Sequence, residues 1–184
     1  MNARNEVPPS SWVTKYSTLL KPRSRVLDLA RGSGRHACFF AAQGHVVTAV
    51  DKNIGSLSGV ESYSDVEVVR FDLESGRWPF VGRQFDCVVI TNYLHRPLFA
   101  DIINALSPDG LLIYETFMVG NEQFGRPSSP DFLLEVNELL TVFSEKLKIL
   151  AYQSGKVKSP KVAVVQRICA TPLRNDNGGD HIVV

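Results

Sequence analysis

The chain has 184 residues, of which 44% are hydrophobic and 21% charged, and its formal net charge is +1. This size and composition predict a single globular domain over residues 1–184. The near-neutral charge and the lack of a basic run argue against a nucleic-acid binder. The lack of an apolar stretch of roughly 20 residues argues against a membrane protein, so we expect a cytoplasmic location with no nucleic-acid or membrane partner.

The cysteines and histidines show no metal-binding pattern. The three cysteines form no CxxC pair and lie in apolar contexts, so we expect buried free thiols. The four histidines lack the spacing of metal ligands, so we expect no metal site. These residues are Cys38, Cys87 and Cys169, and His36, His45, His95 and His181.

The first two thirds of the chain alternate between helical and strand patterns. Ser10 and Ser11 are N-cap candidates for a short helix at about residues 10–20. The elements that follow are a strand at 25–29, a helix at 35–43, strands at 45–51, 66–71 and 85–91, a helix at 97–106, a turn at 107–110 and a strand at 111–117. This alternation predicts an α/β fold with a parallel sheet.

The last third departs from that alternation. A loop at 119–130 and a helix at about 131–143 precede two strand patterns, at 147–153 and 162–170. Their connection is too short for a crossover helix, so the two strands should form a hairpin that places one antiparallel strand in the sheet. The polar, glycine-rich tail at 171–184 is expected to fray.

The segment VLDLARGSGRHA, residues 26–37, joins a predicted strand to a predicted helix. Gly32, Gly34 and Ala37 satisfy the spacing of a dinucleotide-binding loop, and Asp51 ends the next strand, where an acid would bind ribose hydroxyls. On its own, this pattern allows any adenosine cofactor, or a tight turn with no ligand.

Three features favour a cofactor with a cationic end and no phosphate. Asp28 precedes the glycine loop, where its carboxylate would repel a pyrophosphate and attract an ammonium group. Asp72 and Leu73 end the third strand and offer an acceptor for an adenine amino group beside an apolar surface. The terminal hairpin also departs from the plain dehydrogenase sheet. S-adenosylmethionine fits these requirements.

Five segments carry a family resemblance: VLDLARGSGRHA (26–37), VTAVDKN (47–53), VRFDLES (69–75), FDCVVITNYLHRPLF (85–99) and SPDGLLIYETF (107–117). With them the chain resembles the class I S-adenosylmethionine-dependent methyltransferases, and is similar to small bacterial enzymes of the tellurite-resistance type. The resemblance implies a Rossmann-like α/β fold: a seven-stranded, mostly parallel sheet of order 3-2-1-4-5-7-6, with strand 7 antiparallel and helices on both faces.

The resemblance also implies cofactor contacts at the carboxyl ends of the strands. These are Asp28, Ala30, Gly32 and Gly34 at the methionine end, Asp51 at the ribose, Lys52, Asp72 and Leu73 at the adenine, and Thr91 and Asn92 beneath the methionine part. The alternative for Asp51 and Asp72 is a helix N-cap. Arg31 departs from the family, which commonly has a small residue there. It could point to solvent, repel the sulfonium, or bind a carboxylate of the cofactor or of an acidic substrate.

The methyl acceptor is expected beyond strands 4 and 5. His95 is the candidate catalytic residue, which would orient or deprotonate the acceptor; its alternative role is to cap the helix that follows. Other candidates, each with an ordinary packing or surface alternative, are Tyr93, Arg96, Glu115, Asn121, Phe124 and Arg126, with Trp12 and Tyr16 as a flap edge.

The sequence therefore predicts a methyltransferase that uses S-adenosylmethionine and acts on a small-molecule acceptor. The alternative is a cofactor-binding or partner-binding module of the same fold without turnover. Tyr152 and Lys156 have the spacing of a short-chain dehydrogenase pair, but they lie at a predicted strand end rather than on one helix face. The identity of the acceptor and the oligomeric state stay open.

Overall fold

A computed structural model describes residues 7–30, 32–53 and 60–173, apart from the side chain of Glu61. In these ranges there are four α-helices: α1 Ser11–Ser17, α2 Arg35–Ala42, α3 Phe99–Asn104 and α4 Glu138–Ser144. The strands are β1 Arg25–Leu29, β2 Val46–Asp51, β3 Val66–Arg70, β4 Phe85–Thr91, β5 Leu106–Phe117, β6 Leu147–Val157 and β7 Ala163–Pro172. Arg31 and most of the predicted tail, with His181, lie outside the described residues.

The described strands form one seven-stranded sheet of order β3-β2-β1-β4-β5-β7-β6. The first five strands are parallel, whereas β7 is antiparallel both to β5 and to β6. The predicted terminal hairpin and sheet order are thereby confirmed. The short link between β6 and β7 leaves no room for a crossover, which is the physical reason for the single reversed strand.

Helices cover both faces of the sheet because the central strands are apolar on both sides. In β1, Val26 packs into the core on one face with α1 and α2, while Leu27 and Leu29 pack into the core on the other face with α3 and α4. Asp28 is a buried charged residue in the same strand, 1% exposed. The central strands thus place one carboxylate beneath the loop that follows β1.

Three predicted boundaries were wrong. The turn at 107–110 is a bulge within β5, where the pairing with β4 shifts between Phe85 and Cys87. The helix expected at 97–106 is a 3-10 turn, Arg96–Leu98, followed by α3. The helix expected at 131–143 begins only at Glu138, because Leu134 is extended and bridges Met118, and Asn137 adopts φ +61°.

Several other features bear on the sequence predictions. In the part of the chain that the structure describes, no helix is both long and apolar enough to cross a membrane. Cys87 and Cys169 are buried free thiols, and Cys38 is half-buried. Trp12 is buried and its indole N–H donates to the Ile168 carbonyl, 3.2 Å away, so Trp12 packs against the sheet instead of edging a flap.

Candidate active site

An acidic groove lies at the carboxyl ends of β1, β2 and β4 and just beyond β3. Its volume is about 280 Å³, and it is lined by Ala30, Asp51, Lys52, Phe71, Asp72, Leu73, Glu74, Asn92 and Tyr93. Three of these described residues are acids and one is a lysine, so the groove is net negative. Six of the ten residues predicted to hold the cofactor line it together.

The Asp51 carboxylate is held by two backbone N–H groups. Its Oδ2 accepts a hydrogen bond from the Gly32 N–H at 3.0 Å, and its Oδ1 accepts one from the Asn53 N–H at 2.8 Å. Asp72 is held similarly, since its Oδ1 accepts from the Glu74 N–H at 3.0 Å. Both acids therefore form turns with the residue two positions on, rather than the helix caps considered as the alternative. Each carboxylate oxygen has a second lone pair, so both can still bind a ligand hydroxyl or amine.

The loop between β1 and α2 contains three described residues in the left-handed conformation. Ala30, Gly32 and Gly34 have φ values of +52°, +54° and +80°. Glycine adopts this conformation freely, whereas alanine is strained in it. Gly34 is the N-cap of α2 and brings that helix close behind the strand. Gly32, Gly34, Asp28 and Thr91 do not line the groove in the described structure.

Tyr93 forms a half-buried side of the groove. Burial, followed by the negative charges of Glu74, Asp72 and Asp51, raises the pKa of its phenol well above the usual range. The hydroxyl therefore stays protonated and can donate or accept a hydrogen bond. Its backbone carbonyl accepts from the hydroxyl of the buried Tyr114 at 2.9 Å, which fixes the chain after β4.

A second cavity, of about 470 Å³, opens beside Asn92. Its walls come from the N-terminal segment, from the start of α2, from the end of β5 and from the β6–β7 hairpin. It is lined by Val7, Pro8, Pro9, Ser10, Ser11, Arg35, Asn92, Glu115, Phe117, Val157, Ser159, Pro160, Lys161, Ala163, Val165 and Arg167. Its described charged groups are three cations and one carboxylate, and we call it the cationic cavity. Asn92 is shared with the acidic groove.

Asn92, which lines both spaces, has an unusual backbone conformation. Its φ is +55°, which asparagine tolerates better than most residues. Its N–H donates to the Glu115 carbonyl at 2.9 Å, which continues the pairing of β4 with β5 past the end of β4. The side chain of Asn92 is exposed between the groove and the cavity.

A buried ion pair forms part of the cationic cavity. Glu115 and Arg167 are directly opposed in the β5–β7 register, and Arg167 Nε lies 2.5 Å from Glu115 Oε2. The two side chains are only 10% and 11% exposed. The Arg167 guanidinium also lies 5.8 Å from the centre of the Trp12 ring. The antiparallel strand thus supplies the cation that neutralises Glu115.

His36 ties the N-terminal segment to the end of β4. Its Nε2 accepts from the Ser10 N–H at 3.1 Å, and its Nδ1 lies 3.4 Å from Thr91 Oγ1. The first contact places the ring proton on Nδ1 in the neutral ring. Burial, with a smaller contribution from Arg35, lowers the pKa of His36 to about 3, so the ring is neutral at physiological pH. Residues 8–11 are thereby held as a wall of the cationic cavity.

His95 lies in neither space among the described residues. It occupies the N-cap position of the 3-10 turn Arg96–Leu98, but its side chain makes no capping hydrogen bond. Arg96 has a structural role: it donates to both carboxylate oxygens of Glu138, at 2.7 and 2.9 Å, and to the Leu133 carbonyl. The catalytic assignment of His95 stays a prediction.

The long segment after β5 contributes less to the site than expected. Glu115, near the end of β5, lines the cationic cavity, whereas the three candidates from the segment itself, Asn121, Phe124 and Arg126, do not. Asn121 is buried, donating to the Pro127 carbonyl and accepting from the Val164 N–H. Phe124 is exposed, and the Lys156 ammonium lies 4.4 Å from the centre of its ring.

The sequence reasoning missed Arg35, Phe117, Lys161 and Arg167 as lining residues of the cationic cavity. Arg35 directly follows Gly34, so the glycine motif offered a signal for it. The other three meet only because β7 runs antiparallel beside β5, which pairs Phe117 with Val165 and Glu115 with Arg167. In the described ranges, no group of three or more His, Cys, Asp or Glu side chains could hold a metal ion.

Residues 26–110 match the family described as "Methyltransferase domain". A curated relative, an inferred methyltransferase from Geobacillus sp. (strain WCH70), is 29% identical over 127 residues. That match covers 60% of this chain and 51% of the relative, so the chain spans about half the length of the curated protein it matches.

Solved structures with the same topology cover most of the chain. TehB from Haemophilus influenzae has a TM-score of 0.73 at 18% identity, covering 88% of this chain and 61% of TehB. A TehB-like S-adenosylmethionine-dependent methyltransferase from Corynebacterium glutamicum has a TM-score of 0.67 at 18% identity, covering 93% of this chain and 91% of that one. This is the fold of the class I S-adenosylmethionine-dependent methyltransferases.

A third similar structure is of a methyltransferase with ligands bound. It is the 1,6-didemethyltoxoflavin-N1-methyltransferase of Burkholderia thailandensis, with 1,6-didemethyltoxoflavin and S-adenosylhomocysteine (TM-score 0.66, 20% identity, 89% of this chain, 76% of that chain). Together the matches confirm the predicted fold, and residues 26–110 resemble a methyltransferase domain. They support S-adenosylmethionine as the cofactor.

Proposed function

We propose that the chain transfers a methyl group from S-adenosylmethionine to a small-molecule acceptor. The observation that carries this proposal is the pair of spaces that meet at Asn92: the acidic groove on one side and the cationic cavity on the other. Their volumes, about 280 and 470 Å³, are of the order expected for small-molecule sites, roughly 300–1,000 Å³. The Burkholderia enzyme, which has a small acceptor and the cofactor product bound, supports a small acceptor here.

The residues of the groove fit S-adenosylmethionine. Asp51, held by the Gly32 N–H, would accept from the ribose hydroxyls, and Asp72, held by the Glu74 N–H, would accept from the adenine amino group, with the buried side chain of Leu73 beside the ring. The net negative lining suits a ligand that carries an ammonium and a sulfonium, and it opposes the pyrophosphate of a dinucleotide. Asp28 and the backbone of the loop at residues 30–34 would hold the methionine end, with Thr91 and Asn92 beneath it and Lys52 beside the adenine.

When bound, S-adenosylmethionine supplies an electrophilic methyl group: the acceptor's lone pair forms the new bond to carbon, and the electrons of the broken carbon–sulfur bond stay on sulfur in S-adenosylhomocysteine. The chain's contribution is positioning and water exclusion, which can account for much of such a displacement. Asn92 and the wall formed by residues 8–11 would align the acceptor with the shared opening.

Two residues are candidates for moving a proton if the acceptor loses one. His95, predicted from the sequence, follows β4; its side chain makes no capping hydrogen bond, and it lines neither the groove nor the cavity. Glu115 lines the cationic cavity, but its carboxylate is paired with Arg167. We propose His95 as the catalytic base. His95→Ala should then lower kcat and remove one limb of its pH dependence, whereas a purely structural role would leave the shape of the pH profile unchanged.

Calorimetric titration with S-adenosylmethionine and S-adenosylhomocysteine tests the proposal directly. Binding should weaken by about 10-fold or more in Asp51→Asn and in Asp72→Asn, because each loses a charge-assisted hydrogen bond. Asp65→Asn, at an exposed acid outside the groove, is the matched control and should bind normally. No binding at millimolar ligand would overturn the proposal.

A screen of small acceptors with tritiated methyl donor separates the enzyme from the alternative, a module that binds the cofactor without turnover. Methyl incorporation into an acceptor that requires Asn92 would support the enzyme. Tight cofactor binding with no incorporation across thiols, amines, phenols and carboxylates would favour the module.

A further inference from the structure

The acidic groove and the cationic cavity carry opposite charge although they share Asn92. The groove has three carboxylates against one lysine, while the described charges of the cavity are three cations against one carboxylate. Two ligands of opposite charge would therefore be favoured on either side of one residue. A cationic methyl donor matches the groove, which leaves the charge of the cavity to be explained.

The excess positive charge of the cavity comes from Arg35 and Lys161. Arg167 is neutralised by Glu115, which lies in ion-pair contact with it. Among the described residues, no carboxylate lies within 4.0 Å of the side-chain nitrogens of Arg35 or Lys161. Arg35 is half-buried and makes one long contact, 3.5 Å, to the Pro8 carbonyl. The two cations stand on different elements, α2 and the link between β6 and β7.

The rest of the cavity wall is largely apolar. Phe117, Ala163 and Val165 are buried residues that line it, and Pro8 and Pro9 face them from the N-terminal segment. The Lys161 ammonium lies 5.6 Å from the centre of the Phe117 ring, so a cation stands directly beside the apolar surface. This combination suits a ligand with an apolar body and a negatively charged group.

We propose that the cationic cavity is a binding site for an organic anion, and hence that the methyl acceptor is a small molecule with a carboxylate or similar oxyanion group held by Arg35 and Lys161. The proposal rests on the proposed function, because it identifies the cavity as the acceptor's. The same charges disfavour an acceptor that carries an ammonium group, and so select between substrates by repulsion as well as attraction.

Benzoate and benzamide are suitable probes because they share a shape and differ in charge. Their binding to the chain saturated with S-adenosylhomocysteine can be measured by saturation-transfer NMR and calorimetry at low salt, with no need for turnover. Benzoate should bind about 10-fold more tightly than benzamide, since two cations contribute charge-assisted contacts. Sulfate, which has the charge without the apolar body, should bind more weakly than benzoate.

Variants assign the effect to residues. Lys161→Gln and Arg35→Gln should each weaken benzoate binding by roughly three- to tenfold and leave benzamide unchanged. Lys158→Gln is the matched control, because Lys158 is exposed on the same link but does not line the cavity. Its benzoate affinity should equal that of the parent chain.

The inference would be overturned if benzoate and benzamide bound with equal affinity. It would also be overturned if neither bound detectably at about 20 mM, a concentration far above the roughly millimolar dissociation constant of a weak site. Sulfate binding as tight as benzoate would refute the organic anion. If Arg35→Gln weakened S-adenosylhomocysteine binding but not benzoate binding, the assignment of Arg35 would be wrong. In each case normal S-adenosylhomocysteine binding by the parent chain would leave the proposed function standing, whereas its absence would refute that function first.

Discussion

The Glu115–Arg167 pair should be a strongly coupled interaction in the folded chain. Arg167→Met keeps the length of the side chain but leaves the Glu115 carboxylate, about one tenth exposed, without its cation. Breaking a buried pair in this way costs about 3–5 kcal/mol, and because the cavity admits water we expect the lower end, about 3 kcal/mol. For a domain of this size that corresponds to a fall in Tm of about 6–12 °C.

A double-mutant cycle isolates the coupling. Glu115→Gln combined with Arg167→Met removes both charges, so the double variant should recover about 2 kcal/mol relative to the sum of the single variants. Urea unfolding followed by circular dichroism measures the four free energies of unfolding.

The exposed pair Arg25–Asp86 is the matched control. Its nitrogen–oxygen distance is 3.0 Å, but the side chains are 55% and 35% exposed, so its coupling should stay below about 1 kcal/mol. If the four Glu115 and Arg167 free energies added independently, or if the two cycles gave equal coupling, burial would not be the cause and the reasoning would fail.

Three further predictions concern the elements around the site. Ala30→Gly should raise the free energy of unfolding, measured by urea titration, by up to about 1 kcal/mol, because it relieves an alanine in the left-handed conformation. The control Ala41→Gly, within α2, should lower it by about 1 kcal/mol, and a lower free energy of unfolding in both variants would contradict the prediction. Arg96→Lys should lose about 2 kcal/mol by thermal unfolding, because lysine cannot make the bidentate contact with Glu138; an unchanged Tm would refute it. His36 stays neutral in the folded chain but takes up a proton below pH 6.5 in the unfolded chain, so its contribution to the free energy of unfolding is complete above pH 6.5 and is lost as the pH falls towards about 3. The loss should reach about 2–3 kcal/mol by pH 4.5. The free energy of unfolding should depend less steeply on pH in His36→Asn, and an identical slope would show that His36 is not responsible.

The acidic groove could be predicted from the sequence because its information is local. Asp51 ends a strand and Asp72 follows one, and both strands can be recognised from their apolar residues. Parallel strands bring their carboxyl ends to one edge of the sheet. Asp51, Asp72 and Leu73 therefore meet where the pattern expected them. What the pattern could not give was how Asp51 is held, because its bond to the Gly32 N–H joins residues 19 positions apart.

The cationic cavity could not be predicted because it depends on register. Whether Arg167 faces Glu115 or the opposite surface is decided by a one-residue choice of pairing between β5 and β7, which hydrophobic alternation alone does not fix. The error at 131–143 has a similar origin. A helical pattern of apolar residues was overridden there by the bridge between Leu134 and Met118 and by the contacts of Arg96.

The acidic groove and the cationic cavity are also lined by different parts of the sequence. Every residue of the acidic groove lies between positions 30 and 93, inside the segment that matches the methyltransferase family, residues 26–110. Apart from Arg35 and Asn92, every residue of the cationic cavity lies outside that segment. Under the proposed function, substitutions at the cavity-lining positions within residues 7–11 and 115–167 should alter acceptor choice and leave the residues of the acidic groove unchanged. A library of variants designed to change acceptor specificity can therefore be limited to positions that do not line the acidic groove.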